Sequence, residues 1–181
     1  DTIEYVLATG SNRFELLASE EIDVLIRTTT WTTSRDADLN ADFAGMNFYD
    51  GQGILVNKDS FPNATSALHL DGAKICVGIG TTTEGNIADY FAVNSMTYTA
   101  VNSDDAATAK ASFEDGSCDA WTGDMSAMVA QKFGLDTTAV PNSAIMPELL
   151  SKEPLAAATR DNDDDWNDVV TWVWFGMLTY L

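Results

Sequence analysis

The stretch from Lys74 to Gly134 constrains the fold most, because it reads as three consecutive strand–helix units with short connections. Lys74–Gly80, KICVGIG, is a continuous apolar run of strand length, and Thr81-Thr82-Thr83-Glu84 opens a helix through about Val93. Thr81 and Glu84 have the spacing of a capping box. Met96–Val101 predicts the next strand. Ser103 is the expected cap of a helix over Asp104–Phe113, which Gly116 closes. Cys118–Thr122 predicts a third strand, and Asp124 the cap of a helix over Met125–Phe133 that Gly134 stops. Strands that alternate with helices in this way pair in parallel, since each helix carries the chain back to the same edge. The expectation is therefore a parallel α/β lobe.

The flanking segments are less regular. Thr2–Ala8 alternates as a strand would, and Ser11–Glu20 has a helical apolar side of Phe14, Leu16 and Leu17 with Ser11 as its cap. Asp23–Ile26 and Gly53–Val56 predict short strands, and Asn57–Leu68 a loop ending in a helical turn. Ala144–Thr159 reads as extended. Four acids in Asp161–Asp165 suit the start of a helix, where the macrodipole favours negative charge. The same run lacks the glycine and later Glu of an EF-hand loop. The Trp/Val/Phe-rich helix that follows is expected to be buried core or an interface. Val169–Leu181 falls short of the ~18 apolar residues a membrane span needs. The sequence opens at Asp1 without a signal-peptide pattern of its own, and its abrupt start and end are expected to be those of a fragment.

Composition excludes some chemistry. Twenty-eight acids against nine Lys and Arg give a formal charge of −19, which is incompatible with neutralising a phosphate backbone and fits a highly soluble, salt-tolerant surface. The one histidine, His69, lies in SALHLDG with no nucleophile motif beside it. There is no GxSxG, HExxH, Walker A or GxGxxG, and GIGTTTE lacks the third glycine of a dinucleotide loop. One His and two well-separated Cys do not make a metal site. No catalytic residue, metal or cofactor is assigned. Spacing leaves Cys76 and Cys118 open: a disulfide if the protein is exported, inert buried thiols if it is cytosolic.

Binding has better support. Ile26–Gly51 packs five threonines around Trp31 and follows them with Arg35, one of only four arginines. A guanidinium among hydroxyls suits bidentate capture of a carboxylate. Thr81–Thr83 sit where a strand gives way to a helix, so unpaired N–H groups and hydroxyls there favour an anion; alternatively Thr81 simply caps its helix. Asp124 lies at the carboxyl end of a strand, where open α/β sheets bind ligands, and is suited to an ammonium group unless it too only caps. Carboxylate traps and an ammonium acceptor together suit an α-amino-acid zwitterion.

The segments EIDVLIRTTTWTTSRD, DFAGMNFYDGQGILV, ICVGIGTTTEGNIADYF, CDAWTGDMSA and LLSKEPLAAATRDNDDDW resemble the family 3 extracellular solute-binding proteins. The resemblance is to their general L-amino-acid-binding branch, which serves ABC importers, and it spans nearly the whole chain in the family's order. It implies an α/β, two-lobed type II periplasmic-binding-protein clamshell with hinge strands. Lobe one would be residues 1–52 with 157–181 and lobe two 56–150, with hinges at about 52–56 and 153–158. Lobe one would lack the strand–helix–strand region with which the family begins. The resemblance further implies that Arg35 clamps the ligand α-carboxylate, with Thr30 and the Thr28 backbone adding hydrogen bonds. Thr81, Thr82 and Thr83 would contact the ligand from lobe two, and Asp124 would take the α-ammonium. In such a lobe Cys76 and Cys118 lie on neighbouring strands, which implies a disulfide. The implied partners are a polar L-amino acid and an ABC-transporter permease, in the periplasm, with neither nucleic acid nor a membrane span. A clamshell enzyme of the cyclohexadienyl dehydratase type and a ligand-sensing receptor domain are the other readings this resemblance admits. No evident acid–base pair supports the enzyme.

Overall fold

The computed structural model describes residues 2–180. It divides into two compact units: unit 1, Asp1–Tyr49 with Glu153–Leu181, and unit 2, Asp50–Lys152. Unit 1 carries α1 (Arg13–Ala18), α2 (Thr33–Asp38), nearly all of β1 (Ala41–Asp50), β7 (Glu153–Arg160) and α6 (Asp164–Thr179). Unit 2 carries β2 (Gln52–Asn57), a 3₁₀ turn (Ala67–His69), β3 (Ala73–Gly78), α3 (Thr82–Val93), β4 (Tyr98–Ser103), α4 (Ala106–Glu114), β5 (Ala120–Asp124), α5 (Met125–Phe133) and β6 (Ser143–Ile145).

In unit 2 the three strand–helix units fold as the sequence pattern requires. The sheet order is β4-β3-β5-β2-β6, and β3 pairs in parallel with both β4 and β5. The sheet is nonetheless mixed: β2 runs antiparallel to β5 and to β6. β2 precedes the first strand–helix unit and β6 follows the last, so the crossover rule that enforces parallel pairing binds neither of them. Both faces are covered, and the period-2 alternation of the strands builds two cores. Ile54, Val56, Ile75 and Ala120 join Ile87 and Phe91 of α3 on one face. Leu55, Cys76 and Trp121 join Ala109 and Phe113 of α4 and Met128 of α5 on the other. Each fully buried Leu, Ile or Phe contributes about 1.5–3 kcal/mol. Cys76 and Cys118 form a disulfide inside the second core, both fully buried, with Cα atoms 5.6 Å apart.

Helix starts in unit 2 refine the expected caps. Thr81 caps α3 as expected. The cap of α4 is Asp105, not Ser103: the Asp105 carboxylate accepts from Thr108 N at 2.7 Å, while Ser103 is paired with Gly78 as the last residue of β4. Hydrogen bonds from Thr108 lower the Asp105 pKa below its usual 3.8, as Thr97, Ser117 and Thr138 do for Asp71, Asp115 and Asp136. A carboxyl with a lowered folded pKa stabilises in full above its unfolded pKa, and that contribution fades as pH falls through the folded value. Asp105→Ala is therefore expected to lower the urea midpoint at pH 7. The difference from wild type should vanish once the pH is well below the lowered value.

Unit 1 departs further from expectation. Its sheet has two strands, β1 and β7. Thr2–Ala8 forms no strand and enters no ladder, and Ile3, Tyr5 and Leu7 are exposed. Asp23–Ile26 contributes only the single bridge Leu25–Ala158. Helix α1 starts after Asn12 rather than Ser11, and the Asn12 Oδ1 accepts from Thr9 N, so it caps a turn instead of the helix. The core is small: Leu17, Leu25, Ala41, Phe43, Ala156 and Ala158. Helix α6 starts where the acids predict, with Asp163 accepting from Trp166 N. Among the described residues it is not buried core, however. Trp172, Val173 and Phe175 are exposed, although Trp174 Nε1 donates to Met46 O. No helix among the described residues is long and apolar enough to cross a membrane.

Candidate ligand-binding site

In unit 1 the threonine segment lies along β7 and is fixed from both sides. Trp31 N donates to Pro154 O at 2.8 Å, Ala156 N donates to Thr29 O at 3.1 Å, and Thr30 bridges Leu155. The Thr30 hydroxyl donates to the buried Glu153 carboxylate. Helix α2 then begins: Thr32 accepts from Arg35 N at 3.2 Å. This cap turns the Arg35 side chain back onto the segment, where Nη1 donates to Thr30 O at 2.9 Å. Arg35 is only 7% exposed, and its guanidinium carbon stands 5.4 Å from the Phe14 ring centroid. In such a buried setting the low dielectric strengthens the attraction between a guanidinium and an anion. Thr28 is exposed and Thr29 and Thr30 are buried.

A second arginine, which its position in the sequence did not single out, does similar work. Arg13 on α1 is buried and its Nη1 donates to Thr28 O at 3.0 Å and to Thr29 Oγ1 at 3.3 Å. It stands 5.2 Å from the same Phe14 ring. Half of the chain's four arginines are therefore buried against Thr28–Thr30. Glu153 was equally illegible: it heads an apolar strand, and nothing local marks it as a partner of Thr30.

In unit 2 the expected residues gather at the carboxyl ends of β3 and β5, which are neighbours in the sheet. Gly80 has φ +68°, the left-handed conformation that lets the chain turn from β3 into α3. The Thr81 hydroxyl is fully engaged: it accepts from Glu84 N at 3.2 Å, donates to Gly78 O at 2.7 Å and lies 2.7 Å from the Thr83 hydroxyl. The capping box is displaced by one residue, because Glu84 Oε2 accepts from Gly80 N at 3.0 Å rather than from Thr81 N. What this end offers an anion is therefore the backbone N–H groups of the first turn of α3.

Asp124 stands half-buried at the N-cap position of α5, yet its side chain makes no capping hydrogen bond. That task falls to Asp50, whose carboxylate accepts from Ser126 N at 3.3 Å and from the Ser126 hydroxyl at 2.5 Å. Opposite Asp124 in the β2–β5 ladder lies Gln52, fully buried. Its Nε2 donates to Thr83 O at 3.0 Å and to Thr122 Oγ1 at 2.9 Å, and Oε1 has no partner among the described residues. Two neutral hydrogen bonds contribute about 1 kcal/mol each, and an unpartnered buried acceptor costs about 1–3 kcal/mol. The amide's net contribution to stability is close to nil.

With this geometry in hand, the fold class is clear: a mixed α/β architecture shared with type II periplasmic binding proteins. A periplasmic binding protein from Brucella ovis with glutathione bound superposes with a TM-score of 0.87 at 45% identity, over 93% of this chain and 52% of that one. By sequence, the chain is homologous along nearly its whole length to amino-acid-binding periplasmic proteins of ABC transporters. It is 47% identical over 179 residues to the glutamate/glutamine/aspartate/asparagine-binding protein BztA of Rhodobacter capsulatus, covering 97% of this chain and 51% of that protein. It is 42% identical over 176 residues to the general L-amino acid-binding periplasmic protein AapJ of Rhizobium johnstonii, covering 97% and 50%. The chain thus spans about half the length of the curated relatives it matches. No family model matches it.

Proposed function

We propose that the chain belongs to a periplasmic receptor that captures polar L-amino acids and delivers them to an ABC-transporter permease, without making or breaking a bond. The observation that carries this reading is the pair of buried arginines on the threonine segment, Arg35 on Thr30 and Arg13 on Thr28 and Thr29. In a chain of formal charge −19, a cation held out of water at one point is a carboxylate anchor. Arg35 takes the ligand α-carboxylate, with Thr30 and the Thr28 backbone beside it. The first-turn N–H groups of α3, with Thr81, Thr82 and Thr83, add hydrogen bonds from unit 2. Asp124 takes the α-ammonium. The chain passes between the units at Tyr49–Asp50 and at Lys152–Glu153, and the clamshell reading puts its hinges close to these crossings, at about 52–56 and 153–158. The homology to BztA and AapJ supports this reading over an enzyme built on the same fold.

Isothermal titration with the twenty L-amino acids tests it. Binding of at least one polar amino acid is expected. Asp124→Asn, which keeps the shape and removes the charge, is expected to weaken that binding by roughly 10- to 100-fold, the worth of a hydrogen bond to a charged group. Acetylating the ligand's amine should abolish the difference between wild type and variant. Equal affinities in wild type and Asp124→Asn would remove Asp124 from the site.

A further inference from the structure

We propose that Gln52 is a positioning residue for ligand binding: its buried carboxamide holds the first turn of α3 where the Thr82 and Thr83 N–H groups meet the ligand. This rests on the amino-acid-binding reading above. Both N–H groups of Gln52 cross to other elements. One goes to Thr83 O at 3.0 Å, the other to Thr122 Oγ1 at 2.9 Å, and Thr122 in turn donates to Gly53 O at 2.9 Å. From the other side, Thr83 and Thr81 hydroxyls link the turn to Gly78 O at the end of β3. The turn is therefore fastened from outside its own helix by one amide and a short hydroxyl chain. Gln52 also sits opposite Asp124 in the β2–β5 register, so the same side chain ties the anion-binding turn to the strand pair that carries the proposed ammonium acceptor.

The amide is an expensive choice if its role is only to fill space. At 0% exposure, its Oε1 is left unpartnered among the described residues. A methionine of similar volume would occupy the position without burying an unmatched acceptor. What the methionine would lack is the pair of directed donors, and both of those donors act on the geometry of the α3 turn.

The test uses Q52M, which removes the donors, and Q52E, which keeps the shape. Three quantities are read: affinity for the best-bound L-amino acid, thermal midpoint, and amide hydrogen exchange at Thr82, Thr83 and Glu84. Q52M is expected to weaken binding tenfold or more and to speed exchange at those three amides relative to the rest of unit 2, with little change in midpoint. Q52E is expected to bind poorly at pH 8. Relative to wild type at the same pH, it should recover at about pH 5, where the introduced carboxyl is protonated and donates to Thr83 O. The acidic groups on the elements packed around position 52 are Asp124 on β5, Glu84 in the first turn of α3 and Asp50 before β2; normalising to wild type removes any pH dependence they contribute. A Q52M protein with wild-type affinity and exchange overturns the proposal, and so does a Q52E-to-wild-type ratio that is flat with pH. If Q52M does not fold, the Q52E series decides. If wild type binds none of the twenty amino acids, the receptor reading fails, and unchanged exchange in Q52M then separately overturns the anchoring of the turn.

Discussion

Replacing Arg35 by Ala is expected to weaken amino-acid binding by about 2–5 kcal/mol, roughly 30- to 5000-fold. The size follows from burial. An exposed ion pair is worth less than about 1 kcal/mol, but Arg35 is 7% exposed and fixed by its bond to Thr30 O, so a carboxylate that reaches it meets an oriented, weakly hydrated cation. Arg35→Lys is expected to recover only part of the loss, since an ammonium cannot reproduce a planar two-pronged contact. Part of the effect of Arg35→Ala is structural, because Thr30 O loses its donor and the Phe14 ring a cationic neighbour. Comparing binding by calorimetry with the unfolding midpoint separates the two. A variant that folds normally and binds as well as wild type would refute the assignment.

Removing the Cys76–Cys118 cross-link is expected to cost unit 2 about 4 kcal/mol, on the chain-entropy account of a loop closed across a sequence separation of 42. For a protein of this size that is a fall of about 8–16 °C in Tm. The double substitution Cys76→Ala/Cys118→Ala adds a packing loss, since both sulfurs lie in the core shared with Phe113 and Trp121. Both cysteines belong to unit 2, so the loss should spare unit 1, which hydrogen exchange resolved along the chain would reveal. Identical urea midpoints with and without reductant would show that the bond contributes nothing measurable.

Unit 2 was legible in the sequence because each of its elements carries its own signal. KICVGIG, the TTTE turn and Gly134 are local punctuation, and the alternation that sends Ile75 to one face and Cys76 to the other is written in consecutive residues. Unit 1 was less legible because its order depends on residues far apart. Leu25 finds Ala158, Thr30 finds Glu153, and Asn47 Oδ1 accepts from Ala157 N, none of which is a matter of spacing. The strand Ala41–Asp50 escaped notice because its alternation is broken: Phe43 and Ala44 are both buried. Thr2–Ala8 shows the converse, a good strand pattern without a ladder partner. The site followed the same division. Arg35 and Thr81–Thr83 stand out as residue types in context, whereas Arg13, Gln52 and Asp50 matter through partners that only the fold supplies.

The interruption of unit 1 by unit 2 governs the order in which the chain can mature. β1 cannot be paired with β7 until Glu153–Arg160 has been synthesised, whereas every strand of unit 2 lies within Asp50–Lys152. As the polypeptide emerges, unit 2 is complete in itself before the second half of unit 1 exists. Unit 1 must wait, with Phe43 and the Arg35 segment uncovered, for its late return strand. Its assembly is a long-range closure, the slowest kind of contact to form. The segment that carries the proposed carboxylate anchor is accordingly later than unit 2 to reach its final state, because it depends on the return strand Glu153–Arg160.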